Sequence, residues 1–137
     1  MIDYQKILNK NMLNVFIDIL KNISKNGLSQ NNHLYITFLT NHINNKIPQW
    51  LKQKYPNEIT IVIQYEFYDL EVRDCDFSVT LSFSDIQTKL KIDYGSILSF
   101  ADPSSNFGLI LQKNKTQKIK NQLEKSNVIN FSNFKKN

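Results

Sequence analysis

ITIVIQYEFYDLEV, residues 59–72, and DFSVTLSFS, residues 76–84, decide how this chain folds. In the first, Ile61, Ile63, Tyr65 and Phe67 alternate with Val62, Gln64, Glu66 and Tyr68. In the second, Phe77, Val79, Leu81 and Phe83 alternate with Ser78, Thr80, Ser82 and Ser84. Successive side chains on a strand point to opposite faces, so each stretch has one apolar face for a core and one mostly polar face for water. A turn at Arg73, Asp74 and Cys75 joins them. Antiparallel sheets carry this inside-outside alternation, whereas parallel sheets covered on both faces do not.

The sheet extends on either side. HLYITFLT, residues 33–40, is rich in β-branched and aromatic residues and reads as a strand. KIPQWLKQKYPNE, residues 46–58, sets two prolines around a short helical turn with Trp50, Leu51 and Tyr55. KLKI, residues 89–92, reads as another short strand. DYGSILSF, residues 93–100, reads as a turn and a partly buried segment, and NFGLIL, residues 106–111, as a last apolar segment. The sum is an antiparallel, strongly curved sheet of about five strands.

Before the sheet, residues 3–25 place Tyr4, Leu8, Met12, Val15, Phe16, Ile19, Leu20 and Ile23 at spacings of three and four, the stripe of an amphipathic helix. Asn26-Gly27 supplies the stop, since Gly tolerates the left-handed conformation at a helix C-terminus. Ile2, Ile7, Leu13 and Ile17 lie off the stripe. That surplus fits either a second contact such as a dimer or a wide buried stripe in a monomer, and the pattern leaves both open.

At 137 residues, 41% of them apolar and 12% aromatic, the chain has material for one small core but not two. Its apolar runs are far shorter than the roughly 20 residues that span a bilayer, and MIDYQKILNKNML lacks the apolar stretch of a signal peptide, so a cytoplasmic protein without membrane contact is expected. The net charge is +5, yet residues 1–112 hold ten Lys and Arg against eleven Asp and Glu, while residues 113–137 hold seven Lys and one Glu. The folded part is not basic, and a nucleic-acid groove on it has no compositional support. Three units follow: a domain at 1–112, a flexible polar linker at 113–126, and a terminal segment at 127–137 that regains Val128, Ile129, Phe131 and Phe134. As a flexible chain, the fourteen linker residues span roughly 20 Å.

Catalysis has little to draw on. His33 and His42 fit no metal-binding spacing, and Cys75 is the only cysteine. Cys75 is flanked by Asp74 and Asp76 and lacks the electropositive surroundings of a nucleophilic thiolate. Asp69, Glu71, Asp74 and Asp76 lack the spaced ligands and glycine of a calcium loop. No glycine-rich phosphate loop is present. No enzyme activity, metal or cofactor is expected. What remains is the polar row Gln64, Glu66, Ser78, Thr80 and Ser82, which suits main-chain and small side-chain hydrogen bonds to an extended peptide, or simply faces water.

HLYITFLT at 33, IPQWLKQKYPNEITIVIQYEFYDLEV at 47, FSVTLSF at 77 and FADPSSNFGL at 100 together resemble the SspB family. Those bacterial adaptors deliver ssrA-tagged proteins to the ClpXP protease. The resemblance covers residues 12–111, and a separate short match falls on VINFSNFKK at 128–136. It implies an α+β, mainly β fold: an N-terminal helix and an Sm-like, partly open barrel that binds the tag peptide, followed by a flexible linker and a docking tail. It also implies a homodimer and, as partners, ssrA-tagged proteins and the N-terminal zinc-binding domain of ClpX. Glu66 and Ser78 match groove positions of the family, and Gln64, Thr80 and Ser82 share their strand faces. The ClpX-docking residues implied are Val128, Ile129, Phe131, Phe134, Lys135 and Lys136. Two features depart from the family: Ser84-Asp85 stand where a glycine pair is common, and the linker is short and basic rather than long and acidic. An Sm-like RNA-binding protein with a basic tail is the alternative, with nucleic-acid affinity that falls steeply with salt.

Overall fold

A computed structural model describes residues 1–64 and 67–111. Helix α1 (Tyr4–Asn26) opens the chain. Its start is fixed by the Asp3 carboxylate, which accepts a hydrogen bond from the Lys6 N–H at 3.0 Å. It ends at Gly27, whose φ of 76° takes the chain into the left-handed region while its N–H donates to the Ile23 carbonyl at 2.7 Å. The expected Asn26-Gly27 stop is therefore observed.

Seven strands follow: β1 (Leu34–Leu39), β2 (Glu58–Ile63), β3 (Tyr68–Val72), β4 (Asp76–Phe83), β5 (Ile86–Asp93), β6 (Ile97–Asp102) and β7 (Phe107–Ile110). The short helix α2 (Gln49–Lys54) lies between β1 and β2. The strands form two antiparallel sheets, β2-β1-β6-β7 and β3-β4-β5, neither of them closed. The α+β, mainly β reading with a partly open barrel holds, with two refinements. The segment read as partly buried, ILSF, is a central strand, and the sheet count is two rather than one.

The second refinement lies in the 59–72 stretch itself. Ile59, Ile61 and Ile63 point inward from β2 as the alternation demands. The run then leaves one sheet and joins the other, the way strands turn the corner of a sandwich. In β3 the pairing shifts between Tyr68, opposite Thr80, and Glu71, opposite Ser78, with Asp69 at a φ of 52°. That irregularity inserts one residue and inverts the parity. Tyr68 and Glu71 both point outward, and Leu70 and Val72 pack on the core beside Phe67.

Phe16 of α1 joins the two sheets. Its ring lies 6.0 Å from Phe77 of β4, 5.0 Å from Phe100 of β6 and 6.4 Å from Tyr94 in the 3-10 turn between β5 and β6. Phe16, Leu20 and Ile23 are buried, so α1 closes the gap between the sheets with its C-terminal half. Burying a Phe contributes about 1.5–3 kcal/mol by area alone. Tyr4, Leu8 and Val15 of the expected stripe are exposed, and so is Ile7 beside it.

Candidate functional site: the outer face of the three-stranded sheet

Inward Phe77, Val79 and Leu81 of β4 leave Ser78, Thr80 and Ser82 on the opposite face. The register sets Lys91, Lys89 and Gln87 of β5 directly across from them. Thr80 is half-buried and Ser82 exposed, but Ser78 is only 1% exposed, and its hydroxyl has no hydrogen-bond partner among the described residues. Gln64 is exposed just past β2, in the stretch between the sheets, rather than on β4. Glu66 lies outside the described residues, as do 112–137 with Val128, Ile129, Phe131, Phe134, Lys135 and Lys136.

Charge gathers around Ser78. A depression of about 460 Å³ is lined by Lys46, Arg73, Ser78, Lys89 and Lys91. Arg73 bonds Asp76 at 2.5 Å and Glu71 at 3.1 Å, and Lys91 stands 3.7 Å from Asp76. Lys46 and Lys89 have no acidic partner among the described residues. The polar row was legible in the alternation of β4. Lys46 and Arg73 were not, because they reach the site from loops outside the alternating strands.

Those loops are held firmly. Asn45, 7% exposed, donates from its amide to the Leu39 carbonyl at 2.9 Å and to Ser96 Oγ at 3.0 Å, and its Oδ1 accepts from the Asp93 N–H at 2.6 Å. This fixes Lys46, whose N–H and C=O pair with Lys91 of β5. The Arg73 carbonyl accepts from the Tyr94 hydroxyl at 2.8 Å, and the Tyr94 ring stacks on Phe77 at 6.1 Å. Burial, and then the charge of Asp76, push the Tyr94 phenol up to about 12.

The free edge of β5 adjoins the depression. Lys91 spends its main-chain N–H and C=O outward on Lys46, so by antiparallel alternation Lys89 and Gln87 also direct theirs away from β4. Past the bridge, Pro48 would stand opposite Lys89, and a proline has no N–H to offer. The main-chain groups of Gln87 and Lys89 that face away from β4 therefore have no backbone partner among the described residues.

A second concavity, about 450 Å³ and mainly apolar, lies between α1 and the β6–β7 end, lined among others by Val15, Ile19, Ile23, Leu28, Leu34, Phe100 and Phe107. No group of three His, Cys, Asp or Glu that could hold a metal ion occurs among the described residues. No helix among them is long and apolar enough to cross a membrane.

The family model described as SspB, stringent starvation protein B, matches residues 7–133. No curated protein matches the chain.

Proposed function

The chain belongs to the stringent starvation protein B family, and from that premise we propose that it is a non-catalytic adaptor. It binds ssrA-type degradation tags on the products of stalled translation and tethers them to the ClpXP protease. The observation that carries this reading is the set of outward main-chain groups on β5, at Gln87 and Lys89, that lack a backbone partner beside the polar row Ser78, Thr80 and Ser82. An extended peptide joins such an edge through main-chain hydrogen bonds, and neighbouring side chains then set specificity. In this proposal Gln64, just past β2, and Glu66, outside the described residues, add to the groove.

Residues 127–137 are the docking segment. Val128, Ile129, Phe131 and Phe134 supply apolar contact and Lys135 and Lys136 supply charge to the N-terminal zinc-binding domain of ClpX. Residues 113–126 are the tether. A substrate held on the domain while the tail holds the protease experiences an effective concentration on the order of millimolar, which raises delivery without any new substrate contact. In a homodimer, two tails dock together and add avidity.

The reading is tested by fluorescence anisotropy of a labelled ssrA-type peptide with the full chain, and by degradation of a tagged substrate by ClpXP with and without residues 127–137. Saturable peptide binding that survives the deletion, together with stimulation that the deletion abolishes, is the expected result. Stimulation retained by the truncated chain overturns the tethering role.

A further inference from the structure

Ser78 is a buried hydroxyl with no partner at the floor of a depression whose other lining residues are all cations. A polar group shut away from water without a hydrogen bond costs free energy, so its persistence needs an explanation. The depression runs from Ser78 in β4 across Lys89 and Lys91 of β5 to Lys46 beyond the strand edge. It thus reaches the edge at which a peptide would pair.

We infer that this depression receives the carboxylate of an acidic side chain carried by the edge-bound peptide, with the Ser78 hydroxyl donating from the floor and the Lys46 and Lys89 ammonium groups closing on it. The inference rests on the peptide-binding reading above and names what that site selects. The donors present decide the ligand. Arg73, whose planar fork would suit a phosphate, is already committed to Asp76 and Glu71. Two ammonium groups and one hydroxyl remain, which match the two oxygens and single charge of a carboxylate. Asp76, on the same strand face as Ser78 and bonded to Arg73 and Lys91, supplies negative charge that opposes a dianion more strongly than a monoanion.

The test compares two labelled ssrA-type peptides that differ only in Glu or Gln at one position, titrated by anisotropy against the full-length protein and its Ser78→Ala and Lys46→Gln/Lys89→Gln variants. Removing an unpartnered hydroxyl leaves the fold intact, so Ser78→Ala reports on the pocket alone. For at least one position, the Glu peptide binds the wild type about tenfold more tightly than its Gln counterpart, and both variants erase most of that difference. If Glu and Gln peptides bind the wild type equally at every position, the carboxylate pocket is overturned while peptide binding stands. If no peptide binds, both readings fall. If inorganic phosphate instead stabilises the wild type but not Ser78→Ala against heat, and the peptides are not discriminated, the ligand is a free phosphate and the inference is wrong.

Discussion

Lys91 and Lys46 exchange both main-chain hydrogen bonds, Lys46 N–H to Lys91 C=O at 2.9 Å and Lys91 N–H to Lys46 C=O at 3.2 Å. This one bridge fixes the outward direction of alternate groups along β5, and Pro48 prevents the pairing from continuing. Gln87→Pro removes one outward N–H without touching a bond to β4, and edge strands tolerate proline. Tag-peptide affinity should fall about tenfold, as expected for a lost main-chain bond and its neighbours. The thermal midpoint should stay within about 3 °C of the parent. Undiminished affinity in a folded Gln87→Pro protein would place the peptide elsewhere.

The β4–β5 hairpin turns on Ser84 and Asp85, with φ of 50° and 68°. Two consecutive left-handed residues define the type I′ turn that suits hairpin twist, and Asn-Gly is its preferred pair. Glycine takes both positions without strain, whereas Ser84-Asp85 meets the turn's demand under strain. Ser84→Asn/Asp85→Gly should raise stability by about 1 kcal/mol, read as a shift in urea midpoint at constant slope. No shift would mean that the turn relaxes in solution.

The hairpin also shows how much of the fold could be read in advance. Alternation in 76–84 gave the correct faces because β4 pairs regularly along its whole length with β5. In 59–72 it failed at one point, since the inserted residue near Asp69 and the change of sheet after Ile63 leave no mark on a hydrophobic pattern. ILSF at 97–100 was underestimated because a central strand, covered on two sides, loses the polar alternation that announces an edge. The helix was legible in position but not in contact: its stripe runs the full length, whereas the domain covers it only from Met12 onward and leaves Tyr4 and Leu8 exposed. Ser78 was legible as a member of the row on β4 that faces away from Phe77, Val79 and Leu81. That its hydroxyl is buried and unpaired, with loop cations from Lys46 and Arg73 beside it, depends on tertiary placement.

Tyr94 makes stability sensitive to alkali. Its phenol is pushed from 10.0 to about 12, chiefly by burial, then by Asp76 and more weakly by Asp74 and Cys75, with Arg73 opposing. Between those values the folded protein keeps a proton that the unfolded chain releases. Stability contributed by the neutral phenol is therefore full below pH 10 and is lost as pH rises toward 12. Tyr94→Phe keeps the rings packed but leaves the Arg73 carbonyl without its donor. At neutral pH this variant should be less stable by about 1 kcal/mol. From pH 10 to 12 its stability should fall less steeply than the parent's. Equal slopes in urea unfolding across that window would assign the alkaline loss to other groups.

The exposed part of α1 points to self-association. With about 100° of rotation per residue, Tyr4, Leu8, Val15 and Ile19 form a stripe roughly a quarter turn from the buried Phe16, Leu20 and Ile23. Tyr4 is 74% exposed, Leu8 52% and Val15 40%. Val15 and Ile19 also line the apolar concavity beside Phe100 and Phe107, so stripe and concavity are continuous. A contiguous apolar surface of this kind marks an interaction site, and the homodimer proposed above gives it an occupant: α1 of a second copy. Leu8→Glu/Val15→Glu places two charges on that surface without entering the core. The variant should keep its peptide affinity within about twofold, because neither residue lines the depression beside β5. By light scattering it should run as a monomer where the parent runs as a dimer. Tag delivery to ClpXP should weaken with it, since a single tail loses the avidity of two. A variant that remains dimeric would move the contact away from α1. A monomeric variant with undiminished delivery would remove avidity from the mechanism.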